Sequence, residues 1–134
     1  MNAHDRAERV ERLLRGEPYS RSLDIRLVSV EDGAALLEMV VTGAMTNDKG
    51  TCHGGALFTL ADVAFGAAAL HSHPVVTVSS DLHFLRPGRC GDTLRAAACR
   101  VSRTRRSGLF QVTITDAAGE TVAAGLFKGQ WLVS

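Results

Sequence analysis

Apolar residues recur at helical spacing in two stretches of this chain and alternate through most of the rest. Residues 3 to 15 carry Val10, Leu13 and Leu14 as a short apolar stripe on a charged helix, which Gly16 and Pro18 are expected to end. Two strands follow. Residues 24 to 31 hold Ile25, Leu27 and Val30, and residues 34 to 41 hold Leu36, Leu37, Met39 and Val40. The Asp32-Gly33 pair between them is a strong hairpin signal. Residues 43 to 52 read as a polar loop. A long helix then starts near Gly54 and runs to about Leu70, and His71 to Pro74 closes it. Alternation returns in Val76-Val78-Ser80-Leu82-Phe84 and in residues 93 to 102, 108 to 115 and 121 to 132, with "RPGRCGD" and "DAAGE" as turns. Two strands, one long helix and four more strands predict an α+β fold with an antiparallel sheet, not a doubly wound parallel one.

The long helix is apolar nearly all round, so it is a buried one. Its small residues Ala61, Ala64, Ala67 and Ala68 would let sheet side chains approach closely. Burying it fully in a chain of 134 residues calls for a second subunit as well as its own sheet. That length suits one domain over residues 1–134, with residues 1–18 as an N-terminal helical extension. A net charge of +1 argues against bulk nucleic-acid binding, although Arg103, Arg105 and Arg106 cluster locally. Cys52, Cys90 and Cys99 cannot all pair within one chain, and the charged N-terminus has no apolar signal region. These features read as a cytoplasmic protein with reduced thiols. The apolar run from Gly54 to Leu70 is short and contains Asp62, so a core helix is expected in place of a membrane span.

Asp62 is the one charged residue between Gly54 and Leu70. A carboxylate in apolar surroundings is poorly solvated and more basic, better able to attack a carbonyl or deprotonate water. The first N–H groups of a helix lack partners inside it and carry positive potential. A glycine there leaves room for a substrate, so Gly54 N–H is a candidate oxyanion donor with His53 beside it. These parts suit acyl transfer to water. Asp62 lies eight residues beyond Gly54, about 12 Å along the axis, too far to share one carbonyl with the start of its own helix. If both serve one reaction, the second comes from another chain. Structural alternatives stay open. Asp62 could be hydrogen-bonded in the core to a strand Thr or Ser, and His-Gly-Gly could be only a helix start. Cys52 could be a thiol nucleophile, His71 and His73 could hold a metal without an obvious third ligand, and the arginines after Val101 could be a solvated hairpin tip.

The segments "NDKGTCHGGALFTLADVAF" and "HFLRPGRCGDTL" resemble the hotdog-fold acyl-CoA thioesterases, in particular the phenylacetate-pathway (PaaI-type) branch. The resemblance spans residues 22 to 132 and centres on N-x-x-G-x-x-H-G-G-x-x-x-x-L-A-D, with "FLRPG" about two dozen residues later. It implies a long central helix wrapped by a curved antiparallel sheet, homodimers joined sheet edge to sheet edge, and dimers of dimers. It also implies active sites shared at the dimer interface. Carried onto this chain, Asp62 is the nucleophile or general base. His53 and Gly54 of the partner subunit polarise the thioester carbonyl, Asn47 positions water or substrate, and Thr77 assists. The chain departs from the family pattern at Asp48-Lys49, where a Gly-His pair often stands, and at His83, where an acidic residue often precedes "FLRP".

The resemblance implies an acyl-CoA substrate, with phenylacetyl-CoA, a hydroxylated analogue or a related aryl or medium-chain acyl-CoA as candidates. Coenzyme A is then part of substrate and product, with no further cofactor or metal, and no nucleic-acid or membrane partner. Its phosphates call for arginines, and Arg86, Arg103, Arg105 and Arg106 are the candidates. The pantetheine arm would thread between subunits toward Gly54, Gly55 would bind substrate, and Leu57, Phe58 and Phe65 would line the acyl pocket. Two other functions fit the same fold. A non-catalytic acyl-CoA-binding protein is argued against by Asp62. A hydratase would need an Asp and a His about five residues apart, which the helix lacks.

Overall fold

The structure, a computed structural model, describes residues 1–133. Helix α1 (Ala3–Gly16) begins with a capping box, in which Asn2 accepts from Asp5 N at 2.8 Å and the Asp5 carboxylate accepts from Asn2 N. Its stripe buries Val10 and Leu14. Pro18 does more than stop α1. It occupies the first turn of a second short helix, α2 (Pro18–Ser22), where a missing N–H costs nothing.

Strands β1 (Arg26–Glu31) and β2 (Ala34–Val40) form the expected hairpin, with Gly33 at φ +80° in the turn. Residues 43 to 52 are more ordered than a plain polar loop. They hold a 3₁₀ turn (Gly43–Met45) and two bridges, Thr46 to Cys52 and Thr51 to Arg89. Helix α3 (Gly54–Ala68) follows, then β3 (Val75–Phe84), β4 (Thr93–Arg103), β5 (Ser107–Thr115) and β6 (Thr121–Trp131). All strand pairs are antiparallel, in the order β1-β2-β4-β5-β6-β3.

The sheet curves around α3, which packs across β2, β4 and β5. Ala61, Ala64, Ala67 and Ala68 are all buried against it, together with Leu60 and Phe65. Phe65 stacks among Phe110 and Phe127 with ring centroids 5.4 and 5.7 Å away. The long helix wrapped by an antiparallel sheet is thus present, and α1 packs beside it on β1. Among the described residues, no helix is long and apolar enough to cross a membrane.

Strand β3 has β6 on one side and nothing on the other among the described residues, so it is a sheet edge. It is exposed along most of its length, including Val76 and Val78. Its register with β6 slips between Thr77 and Ser79, a bulge that leaves Val78 unpaired. Opposite Thr77 stands Gly129. A Cβ there would fall 2.6 Å from the Phe65 ring and 2.8 Å from Val75, so glycine is what lets Phe65 of α3 lie this close to β6.

Candidate active site

Asp62 lies on the part of α3 that faces β3, and it is half-buried. The Thr77 hydroxyl donates to its Oδ1 at 3.0 Å. The hydrogen bond to a strand threonine that a purely structural aspartate would make is therefore present. It engages one oxygen only; among the described residues Oδ2 has no hydrogen-bond partner. Burial raises the carboxyl pKa above the ordinary aspartate value. The Thr77 bond opposes that shift, and the charge of Glu17 adds to it. Asp62, Thr77 and Phe65 line a cavity of about 430 Å³ whose other wall is α1.

The start of α3 forms a second group. His53 is the N-cap, and its Nδ1 accepts from Gly55 N at 2.8 Å. In the neutral ring this places the proton on Nε2, so the exposed edge of His53 is a hydrogen-bond donor. Gly55 N–H is consumed by that contact. Gly54 N–H, by contrast, has no partner among the described residues. Gly54 lines a separate cavity of about 370 Å³ with Asn47, Leu57, Phe84 and Arg86. Asn47 holds the approach loop. Its Oδ1 accepts from Lys49 N at 2.9 Å and Thr51 N at 3.2 Å, while Nδ2 donates to Thr51 Oγ1 at 3.1 Å. Its second amide hydrogen has no partner among the described residues.

No residue lines both cavities. Within one chain the carboxylate and the helix-start donors serve different spaces, as the axial rise of α3 requires. Each cavity thus holds one kind of group that acyl transfer uses: a carboxylate with raised pKa in one, an unpartnered helix-start N–H in the other.

The remaining candidates disperse. Leu57 lines the second cavity and Phe65 the first, while Phe58 is partly exposed and packs on Phe127 at 5.4 Å, so the three do not form one pocket. Arg86 borders the second cavity, where it pairs with Glu120 at 3.4 Å and donates to Thr121 O. Arg103 lies over the Trp131 ring at 4.8 Å. Arg105 and Arg106 are exposed in the β4–β5 turn, with no carboxylate partner among the described residues. Cys52 is buried and its thiol is pushed up to about 11, so it is no thiolate at neutral pH. The His71 and His73 rings stack on each other at 5.5 Å, and His71 packs on Trp131. Leu13 and Leu14 of α1 and its C-cap Glu17 also line the Asp62 cavity; the sequence shows the leucine stripe, but nothing in it says what the stripe faces.

The thioesterase superfamily model matches residues 49–123 of this chain. Acyl-coenzyme A thioesterase PaaI of Escherichia coli K12 is 35% identical over 130 residues, covering 96% of this chain and 91% of that protein. The structure of E. coli PaaI, from the phenylacetic acid degradation operon, superposes with a TM-score of 0.94 at 31% identity, over 98% of this chain and 96% of that one. The smu.793 protein of Streptococcus mutans UA159, solved bound to acetyl CoA, gives 0.77 at 30% identity, over 80% and 87%. On the helix-in-sheet frame these proteins share, the chain belongs to the thioesterase superfamily as a hotdog-fold acyl-CoA thioesterase of PaaI type.

Proposed function

We propose that this thioester hydrolase cleaves aryl or medium-chain acyl-CoA thioesters, phenylacetyl-CoA or a hydroxylated analogue among them, in sites shared by two protomers. The observation that carries this reading is the division of Asp62 Oδ2 and Gly54 N–H between separate cavities, each group without a hydrogen-bond partner among the described residues. A second protomer joined at the open β3 edge, where Val76 and Val78 are exposed, would bring Gly54 of the partner subunit to Asp62. A further pairing of dimers is part of the same reading.

In this arrangement the thioester carbonyl oxygen accepts from Gly54 N–H and His53 Nε2–H of the partner subunit. Both donors are fixed beforehand, and they strengthen as negative charge builds on that oxygen. Asp62 Oδ2 either attacks the carbonyl carbon or takes a proton from the water that does. The tetrahedral adduct then expels the coenzyme A thiolate, which leaves as the thiol once protonated. Direct attack passes through an acyl-aspartyl anhydride that water opens, whereas the water route gives the acid at once. Thr77 holds the carboxylate in place, and Asn47 orients water or substrate from the loop. Arg86, Arg103, Arg105 and Arg106, all exposed, supply charge for the coenzyme phosphates.

Subunit mixing tests the shared site. Asp62→Asn and His53→Ala chains, each first shown to be strongly impaired, are exchanged, and intact-mass measurement confirms heterodimers. A heterodimer then has one site with both defects and one with neither. Thiol release should return to about half the wild-type rate per heterodimer, since turnover at one intact site is retained. Confirmed exchange without recovered hydrolysis would rule the shared site out.

A further inference from the structure

Helix α3 contains a glycine that its packing does not explain. Gly66 sits inside the helix, where glycine costs about 1 kcal/mol relative to alanine. Its φ is not in the left-handed region, and a Cβ built there meets no atom within 4 Å. Neither conformation nor close contact calls for glycine. What borders Gly66 is open space, namely the cavity that Asp62 and Thr77 also line.

The opposite wall is α1. The Arg9 guanidinium donates to His71 O at 3.2 Å, which ties the early part of α1 to the loop after α3. Eight residues on, Glu17 stands close enough for its charge to act on Asp62. The two helices therefore run antiparallel. The cleft between them extends about 12 Å from the Asp62 end to the His71 end, the rise of α1 from Arg9 to Glu17. Leu13 is at the midpoint of that span. Val10 and Leu14 are spent in the core at 2% and 8% exposure, but Leu13 is 48% exposed and lines the cleft. A cavity of about 430 Å³ is of the size that takes a small organic group, for which about 300–1,000 Å³ is usual. Its walls also include Val63 and Leu70.

We infer that the acyl group lies in this α1–α3 cleft, entering at Asp62 and running toward His71, and that Gly66 and Leu13 set how large an apolar acyl group it accepts. The inference rests on the proposed role of Asp62 and adds the acyl-selecting wall. Residues 3 to 16 lie outside residues 49–123, which the superfamily model matches, so the model match alone says nothing of this wall.

The test measures kcat/KM for acetyl-CoA, octanoyl-CoA and phenylacetyl-CoA by thiol release, in wild type, Gly66→Leu and Leu13→Trp. Each substitution fills the cleft from one wall. The ratio of octanoyl or phenylacetyl to acetyl should fall by about 10-fold or more, the discrimination a few methylenes exert in an apolar pocket. Thermal unfolding should show Gly66→Leu at least as stable as wild type, because leucine is the better helix former. If Gly66→Leu is poorly folded, Leu13→Trp decides alone, since the exposed Leu13 carries little of the core. An unchanged ratio in a folded variant, or an equal fall for all three substrates, overturns the acyl-cleft assignment. Failure of the Asp62 reading would show elsewhere, as retained turnover in Asp62→Asn, whatever this ratio does.

Discussion

Gly54→Ala sets two accounts of the His-Gly-Gly segment against each other, because they give opposite signs. As a helix start only, the position would welcome alanine. Gly54 has no positive φ, so an L-residue fits its backbone. The new methyl would approach Phe84 Cζ at 3.3 Å and the two ring Cε atoms at 3.6 Å. Phe84 is 55% exposed, so the ring can yield the few tenths of an ångström required at little cost. Against that stands the gain from replacing glycine, about 0.4–1 kcal/mol through the unfolded chain. The net expectation is a Tm equal to wild type or a few degrees higher.

As a carbonyl-binding site, the same methyl narrows the cavity that Gly54 and Phe84 line and would hold a thioester oxygen away from the Gly54 N–H. Alanine keeps the N–H, so the loss comes from the methyl holding the oxygen off it, and the full loss of one oxyanion donor, about 10²–10³ in turnover or roughly 2.7–4 kcal/mol, is its upper bound. A stabilised and nearly inactive enzyme is therefore expected. Thermal melts and thiol release at saturating acyl-CoA measure the two effects on one preparation. Turnover within about threefold of wild type in a folded Gly54→Ala protein would refute the oxyanion role and leave the glycine as a helix start.

Two further outcomes concern the carboxylate. Thr77→Val removes the hydrogen bond that favours ionised Asp62, so the acid limb of kcat/KM against pH should move to higher pH; an unmoved limb would show that Thr77 does not act on the reacting carboxyl. Asp62→Asn should lose about 10²-fold or more in turnover and melt higher at neutral pH. Burial raises the native carboxyl pKa, so the folded wild type retains a proton that the unfolded chain has released. Its stability therefore falls as pH rises from the ordinary aspartate value to the raised native one. The Tm gap between variant and wild type should open across that window and stay flat above it, and a gap independent of pH would refute the linkage.

The elements were legible where a local rule decides them. Asp32-Gly33 fixed a hairpin because its turn needs positive φ at glycine, and the alanines of α3 marked a helix pressed on a sheet. Asp62 stood out because it was the one charge in an apolar run. Long-range placement was not legible. Pro18 reads as a stop, but the residue that cannot continue one helix is well suited to begin the next. Alternation identified β3 as a strand without revealing that it pairs with β6 and ends the sheet, since neighbours in a sheet need not be neighbours in sequence. Leu57, Phe58 and Phe65 looked like one pocket because they share a helix. Their different angular positions around α3 point them into different spaces, and the wall facing Asp62 comes from α1, some fifty residues earlier in the chain.

One strand connects chemistry to assembly. Thr77, which holds Asp62, lies on β3, next to the bulge that leaves Val78 unpaired. The same strand presents the sheet's open edge with Val76 and Val78 exposed, the kind of edge that natural proteins cover or pair. A straight helix keeps its own start about 12 Å from Asp62, so no side-chain rearrangement within one chain could deliver Gly54 N–H to the carboxylate. Pairing at β3 would supply a second helix start and, in the same event, fix the backbone that aims Thr77. In the shared-site arrangement, then, a lone protomer lacks the oxyanion donors and also the support that orients its base, so activity and assembly rise and fall together.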